Sequence, residues 1–297
     1  MTYYASLALA KSEKATQAGG SSAARPADDA WLLNALGTVS KRIDDHMGYA
    51  FEPRIDTLYF DAVGFHIEDA TGRLFMGRPL LALTTITVDG TALTASGYML
   101  EPRGQTPYTV IRRRGGELWL PSWSTLGLDD ALQSIAITGV WGYRTRYPSD
   151  AWMTVDAVTT AAISTTSAVT FTVADVDGAD ALGRTPRISA GNLLQIDSEW
   201  MRVTATNTST NEVTVRRGIN GSTAATHALA AAVAVWQPEE AIVRATARWA
   251  AYLEARRAAF ATVEYDGMST VSYPKDMPKE IENILASFPV YEQWGTP

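Results

Sequence analysis

Apolar residues recur at helical spacing in three parts of the chain. The clearest run lies between Asp28 and Gly48, and its apolar positions are Leu32, Leu36, Val39, Ile43 and Met47. This spacing places them on one face and predicts an amphipathic helix of about five turns that ends at Gly48. A second helix of about 25 residues is predicted to open at Pro238, and a short third one at Pro278.

Between Ile55 and Tyr143 the pattern changes to strands of β-branched and aromatic residues with a period of two. Asp89 and Gly90 lie between two such runs, which is a strong signal for a two-residue hairpin. Glycine and proline interrupt the remainder, for example at Gly77 and Pro79. This zone predicts a small antiparallel sheet with irregular loops.

A second zone of strands runs from about Val158 to Trp236 and is rich in serine, threonine and alanine. Polar turns separate its short candidate strands at nearly even spacing, which is typical of a compact barrel or sandwich. At about 79 residues the zone is large enough to fold alone, although only marginally.

The order of these zones predicts an α+β fold with a helical core, a small antiparallel sheet region and an inserted small β-barrel or sandwich domain. Residues 1–26 form a flexible N-terminal arm, in which a short helix from Ser6 to Gln17 precedes a loop of small residues. Residues 27–157 together with 237–297 form the core, in which the helices pack together. Residues 158–236 are the inserted domain.

Composition restricts the chemistry that the chain can perform. The 297 residues include no cysteine and three histidines, His46, His66 and His227, so disulfides, thiol chemistry and cysteine-ligated zinc are excluded. Twenty-five basic against 32 acidic residues leave a net charge of −7, which argues against binding nucleic acid by general phosphate attraction. The longest apolar run, Ala228 to Trp236, has nine residues, against the roughly 20 that a membrane-spanning helix needs.

Motifs of known catalytic chemistry are not found. The chain has no glycine-rich phosphate loop, no nucleophile elbow and no metalloprotease motif. The acidic run from Asp175 to Asp180 resembles a calcium loop, but glycine stands at its fourth position and Pro186 at its twelfth, so a plain turn is favoured. We therefore expect no cofactor, no metal site and no enzymatic activity.

Three further features have a structural and a functional interpretation. The first feature is the run of three arginines, Arg112, Arg113 and Arg114. Functionally, they would contact DNA phosphate or an acidic partner. Structurally, they are charged residues at a strand end and turn, and this structural interpretation is favoured. Four tryptophans cluster near the end of the first β zone, namely Trp119, Trp123, Trp141 and Trp152. If they are exposed, they would stack on sugars or bases, but core or interface anchors are more common and are favoured. His227 is expected to make a structural hydrogen bond.

Several segments occur in a familiar succession: Tyr4-Ala-Ser-Leu-Ala-Leu-Ala-Lys11, the helix from Asp28, Gly77-Arg-Pro-Leu-Leu81 leading into Ile86-Thr-Val-Asp-Gly90, and Ile135-Ala-Ile-Thr-Gly-Val-Trp-Gly-Tyr143. This succession resembles the head–tail connector, or adaptor, proteins of long-tailed bacteriophages. The match covers about residues 1–150 and 238–297. The module between them resembles small β domains of phage virion proteins in Gly191 to Val203, Val213 to Gly218 and His227.

The resemblance implies a structural protein of the virion neck, assembled in the host cytoplasm. Such adaptors form dodecameric rings beneath the portal protein, extend the channel for double-stranded DNA without sequence-specific binding, and dock the tail or stopper protein. Aromatic side chains are favoured interface anchors, so the expected contacts with the portal or a neighbouring subunit are Phe288, Tyr291 and Trp294 in the C-terminal tail and Trp249 and Tyr252 in the preceding helix.

Two other readings remain open. The chain is alternatively a tail or fibre-associated virion protein whose β module binds host-surface carbohydrate. A further alternative is a hydrolase that acts through paired carboxylates, although nothing in the sequence singles out a pair.

Overall fold

The helices follow the periodicity of the sequence closely. The computed structural model describes residues 2–17, 26–62, 64, 66–68, 70–115, 119, 132–159, 161–259 and 277–291. Its α-helices are α1 (Leu7–Gln17), α2 (Pro26–Met47), α3 (Glu240–Ala259) and α4 (Lys279–Leu285). Helix α2 begins at Pro26 and ends directly before Gly48, and all five residues of its predicted apolar stripe are at most 2% exposed.

The other regular elements of the described chain are mainly strands. In chain order they are β1 (Arg54–Phe60), β2 (Ile67–Glu68), β3 (Arg73–Val88), β4 (Thr91–Ala92), β5 (Tyr98–Glu101), β6 (Tyr108–Arg113), β7 (Ile135–Trp141), β8 (Trp152–Ala157), β9 (Thr170–Thr172), β10 (Leu193–Ile196), β11 (Glu199–Asn207), β12 (Glu212–Arg216) and β13 (Ala232–Trp236). They belong to two antiparallel sheets, in two separate compact units of the chain.

The first sheet has seven strands and lies in the unit made of Met47–Ala151 and Val290–Pro297. Its strand order is β1-β7-β3-β6-β5, with β2 and β4 paired to β3. The two-residue turn at Asp89 and Gly90 joins β3 to β4, with φ of 48° and 73°. Both residues of a type I′ turn need positive φ, and glycine supplies it without steric cost, so the predicted hairpin is confirmed.

The second sheet has six strands and lies in the unit made of Met1–His46 and Trp152–Pro289. Its order is β8-β13-β10-β11-β12-β9, and a bridge between Val158 and Val173 joins the chain after β8 to the chain after β9. The two edges of the sheet therefore meet, and they enclose an apolar core. Buried members of this core are Val158, Ile163, Phe171, Val173, Val176, Ile188, Leu194, Ile196, Met201, Val203, Val213, Val215, Val233 and Val235.

The four helices belong to the same unit as the second sheet, where α1 packs against α3 and α3 against α4. Lys14 of α1 and Glu254 of α3 form a largely buried ion pair at 2.8 Å. None of the described helices is both long and apolar enough to span a membrane. The expected division into an arm, a core and an inserted domain stays a prediction, because packing within the whole chain does not show which segments fold alone.

The expected fold class, an α+β protein with a helical connector core and a small sheet, is wrong. The described residues are mostly β, with two sheets of seven and six strands and only four short helices. Strand β3 illustrates the difference, since it runs through Gly77 and Pro79, where the sequence predicts interruptions. Its pairing with β6 shifts register between Phe75 and Leu80. Glycine and proline are tolerated at such irregular positions, so they did not end the strand.

Candidate functional site

The two β segments that carry the family resemblance are neighbours in the first sheet. Strand β3 pairs with β7 along most of its second half, from Leu80 opposite Trp141 to Val88 opposite Ile135. Strand β1 covers the other edge of β7, so β7 is hydrogen-bonded on both sides. Both segments therefore serve packing, because they lie in the middle of one sheet.

Gly139 in β7 allows the closest approach between these strands. A Cβ atom at Gly139 would lie 2.4 Å from the Ala82 carbonyl oxygen and 2.8 Å from Cδ1 of Leu80. Neither distance is compatible with a methyl group, and the nearer atom is backbone, which cannot rotate away. Gly139 is therefore required by the β3–β7 pairing itself.

An aromatic cluster of Tyr49, Phe51, Tyr143 and Tyr291 lies in the unit of the first sheet. The Tyr49 ring centroid lies 5.2 Å from that of Tyr291 and 5.5 Å from that of Tyr143, and Phe51 and Tyr143 are also 5.5 Å apart. Burial is the main cause that raises the pKa of Tyr49, and the neighbouring Tyr291 and Tyr143 raise it further. Burial likewise raises the pKa of Tyr291. The cluster thus holds the C-terminal segment at Tyr291.

The expected interface residues differ in how deeply they are buried. Trp249 is 1% exposed on α3, with the Arg42 guanidinium carbon 6.0 Å from its ring centroid, so in the folded chain it offers a partner no surface. Tyr252 and Phe288 are partly buried, as is Tyr291 in the aromatic cluster. Trp294 lies outside the described residues. The interface role of all five residues stays a prediction.

The most densely bonded polar group of the second sheet is the Glu199 cluster, formed by Asp197, Glu199, Arg217 and His227. Arg217 donates from Nε to Oε1 of Glu199 at 2.7 Å and from Nη2 to Oε2 at 2.6 Å. The backbone N–H groups of Gly218 and Ala225 donate to the same carboxylate. The carboxylate thereby fixes the loop that follows β12 to the start of β11.

Arg217 extends this cluster to a second loop. Its Nη1 donates to the carbonyl oxygens of Thr165 and Ala168, and its Nη2 to that of Ala225. One guanidinium group therefore joins three separate segments, which is possible because its donors form a rigid planar fork.

Hydrogen bonding controls the charge of Glu199. Burial by itself would raise the pKa of this carboxyl group, but hydrogen bonds from Arg217, the Ala225 N–H and His227 outweigh it and lower the pKa to about 2. Glu199 is therefore ionised at neutral pH, and its buried charge is paired with that of Arg217, as a buried carboxylate requires.

His227 lies between two carboxylates. Its Nδ1 is 2.8 Å from Oδ2 of Asp197 and its Nε2 is 2.9 Å from Oε2 of Glu199. The carboxylates are thus on opposite edges of the imidazole ring and do not converge on one point. Across the described residues, no group of three or more histidine, aspartate or glutamate side chains is arranged to hold a metal ion. His227 makes the structural hydrogen bonds that the sequence indicated.

The acidic run at Asp175 forms a turn. Oδ1 of Asp175 accepts a hydrogen bond from the Gly178 N–H, which is the main cause that lowers the pKa of Asp175, and Oδ2 pairs with Arg187 at 3.1 Å. Asp180 accepts from the backbone of Leu182 and Arg184. These oxygens are used by internal donors, in agreement with the expected turn.

Two of the described tryptophans near the end of the first β zone, Trp119 and Trp141, are core residues, as favoured, and the third, Trp152, is partly buried against Trp200 and Trp236. Trp119 is fully buried and donates from Nε1 to the Gly72 carbonyl oxygen at 3.0 Å, and Trp141 donates to that of Asp56 at 3.1 Å. Trp123 lies outside the described residues. The expected strand end and turn at the three arginines is also confirmed, since β6 ends at Arg113.

Comparison with known proteins finds no match: no protein-family model, no curated protein and no solved structure is similar to the chain. The residues of the chain itself therefore carry the functional argument.

Sequence reasoning missed the Glu199 cluster as a unit. It singled out His227, and the segments around Glu199 and Arg217 appeared only as parts of a likeness to phage β modules. The one available signal was an acidic residue directly before two large apolar residues, Glu199 before Trp200 and Met201, where a buried charge needs a partner.

Proposed function

We propose that the chain is a structural subunit of a bacteriophage neck. It assembles into a ring, a dodecamer, beneath the portal protein, extends the DNA channel and docks the tail or stopper protein. No catalytic step, cofactor or membrane is part of this function. The proposal rests on the family resemblance of the motifs and not on the expected helical core, which the fold does not have.

One structural observation supports the proposal. The segments Gly77–Gly90 and Ile135–Tyr143, which resemble the two β motifs of the adaptor family, contain the paired parts of β3 and β7 in one sheet. Two motifs far apart in sequence thus meet in space, and the glycine of the second, Gly139, is required by the carbonyl group of the first strand. Motifs that form one packed unit are expected where a family preserves a scaffold.

The charge of the chain agrees with a DNA conduit. Each subunit carries a formal charge of −7, so a ring of identical subunits is net negative. Like charges repel the phosphate backbone, and a net-negative channel does not retain passing DNA.

Co-expression with the portal protein encoded in the same genome tests the assembly. We expect native mass spectrometry and negative-stain microscopy to show a closed twelvefold ring of this chain on the portal. A chain that stays monomeric beside the portal contradicts the proposal. A trimer whose thermal midpoint rises with glycans favours the alternative, a fibre-associated carbohydrate-binding protein.

The same complex tests whether the C-terminal tail, with Phe288, Tyr291 and Trp294, docks on the portal. Trp294→Ala should weaken portal binding by roughly 30-fold, the effect of losing one strong aromatic anchor. Val290→Ala is the matched control, since Val290 is in the same tail and is 70% exposed. Equal binding by the two variants would exclude the tail as a docking element.

A further inference from the structure

A depression of about 270 Å³ lies on the outer side of the first sheet, beside the end of β6. Arg112, Arg113 and Arg114 line it, together with Ala70, Thr71, Gly72, Met99 and Gly115. No aspartate or glutamate is among the described residues of its wall. The function proposed above does not use this site.

Arg112 and Arg113 are the last two residues of β6, and Arg114 directly follows the strand. Arg113 reaches towards the core, with its guanidinium carbon 5.8 Å from the ring centroid of the buried Trp119. Successive side chains of a strand point to opposite faces, so Arg112 leaves the strand on the face opposite Arg113. Residues two positions apart are at most about 7 Å apart in an extended chain, so the long side chains of Arg112 and Arg114 can reach one ligand at the depression that both line.

Each of these two guanidinium groups is held in place by a single backbone acceptor. Nε of Arg112 donates to the Thr71 carbonyl oxygen at 3.2 Å, and Nε of Arg114 donates to that of Tyr98 at 3.1 Å. Both anchors are uncharged, and both leave the Nη1 and Nη2 groups of the fork without a protein acceptor in the described part of the chain. The side chains are therefore oriented while their charge is retained.

The nearby carboxylates are taken by a third arginine. Arg73 lies directly opposite Arg112 on β3, and like charges in that position are unfavourable unless they are compensated. Arg73 pairs with Glu101 at 3.3 Å and with Glu68 at 3.8 Å. Within the described ranges, neither Arg112 nor Arg114 takes part in an ion pair, so positive charge accumulates at the depression in a chain that is acidic overall.

We propose that Arg112 and Arg114 form a binding site for a phosphate group. Two guanidinium forks offer more donors than the two oxygens of a carboxylate accept, whereas a phosphate monoester presents three terminal acceptor oxygens. The phosphate belongs either to a small molecule or to the backbone of nucleic acid, whose diester group presents two such oxygens, and guanidinium binds both through charge-assisted hydrogen bonds.

Calorimetric titration of the full chain with inorganic phosphate, at constant ionic strength against chloride, tests this site. We expect saturable binding to the wild-type chain, and at least about a tenfold loss of affinity in Arg114→Ala, because a hydrogen bond to a charged group is removed. Arg114 is exposed, so the variant should fold normally, and circular dichroism checks this. Arg54→Ala, at an exposed arginine of β1 outside the depression, should bind phosphate as the wild type does.

Two further probes identify the source of the phosphate. If fluorescence anisotropy with a short DNA duplex shows the same loss in Arg114→Ala, the ligand is a nucleic-acid phosphate; if only inorganic phosphate binds, it is a small phosphorylated molecule. Absence of phosphate binding to the wild-type chain, or equal affinity in Arg114→Ala, overturns the proposal. Binding of poly-glutamate without binding of phosphate also overturns it, since the site would then recognise carboxylates.

Discussion

Glu199 and Arg217 form a bidentate ion pair in which the two side chains are 0% and 6% exposed. Removing one partner of such a pair leaves the other charge buried and uncompensated. We therefore expect Glu199→Gln, which preserves size but not charge, to lower the free energy of unfolding by about 3–5 kcal/mol. Urea unfolding at neutral pH, followed by circular dichroism, measures the change.

The control for this variant is Glu240→Gln. Glu240 pairs with Arg244 on the surface of α3, with 69% of its side chain exposed. Exposed pairs contribute less than about 1 kcal/mol, so this variant should unfold nearly as the wild type does. Equal effects of the two substitutions would show that the Glu199 pair does not stabilise the fold.

The same carboxylate should make stability depend on acidity. The folded-state pKa of Glu199, about 2, lies below its ordinary value of 4.5. The resulting stabilisation is fully present above pH 4.5 and is lost as the pH falls from there towards 2. A shift of this size corresponds to about 3 kcal/mol. Unfolding free energies measured across this range should fall more steeply for the wild type than for Glu199→Gln, and parallel curves would contradict the assignment.

Gly139→Ala should disrupt the centre of the first sheet. The added methyl group would meet the Ala82 carbonyl oxygen at 2.4 Å, and relieving such a contact costs about 1–3 kcal/mol or more. Gly97→Ala is the matched control, because the nearest atom to its Cβ would be the Thr94 hydroxyl oxygen at 3.8 Å. Chemical denaturation of the two variants compares them, and a wild-type midpoint for Gly139→Ala would disprove the close approach.

Trp249→Ala separates a core role from an interface role. Because Trp249 is 1% exposed, its truncation should cost about 3–5 kcal/mol of stability in the isolated chain. Arg244→Ala, on the exposed side of the same helix, should have little effect. If Trp249→Ala keeps its full stability and loses only partner binding, the residue is an interface anchor after all.

We expect the aromatic cluster to make the stability of the fold depend on pH above 10. The pKa values of Tyr49 and Tyr291 are raised, so their protonated forms stabilise the fold below pH 10 and this contribution is lost as the pH rises above 10. Tyr291→Ala removes a ring and part of the burial at Tyr49, which should move the pKa of Tyr49 down towards 10.0. Ultraviolet titration of tyrosinate measures this, with Val290→Ala as control. An unchanged titration of Tyr49 would mean that Tyr291 does not cover it.

The sequence pattern was sufficient to predict those elements whose stabilising contacts lie within a few residues. The stripe of α2, its end before Gly48 and the hairpin at Asp89–Gly90 depend on hydrogen bonds and dihedral angles within a few residues, and all three were predictable. The extent of β3 was not predictable from its own residues. Its passage through Gly77 and Pro79 depends on pairing with β6 and β7, whose residues lie far along the chain.

For the candidate sites too, some properties follow from the sequence and others only from contacts that the fold creates. The sequence by itself determined that the chain has no cysteine chemistry, an acidic balance and two zones of strands, because these follow from composition and short-range periodicity. Only the tertiary structure decided that Glu199 meets Arg217, and that Arg73 takes the carboxylates near Arg112 and Arg114. Charges interact over a few ångströms in space, and the pairing of distant strands sets which charges come that close.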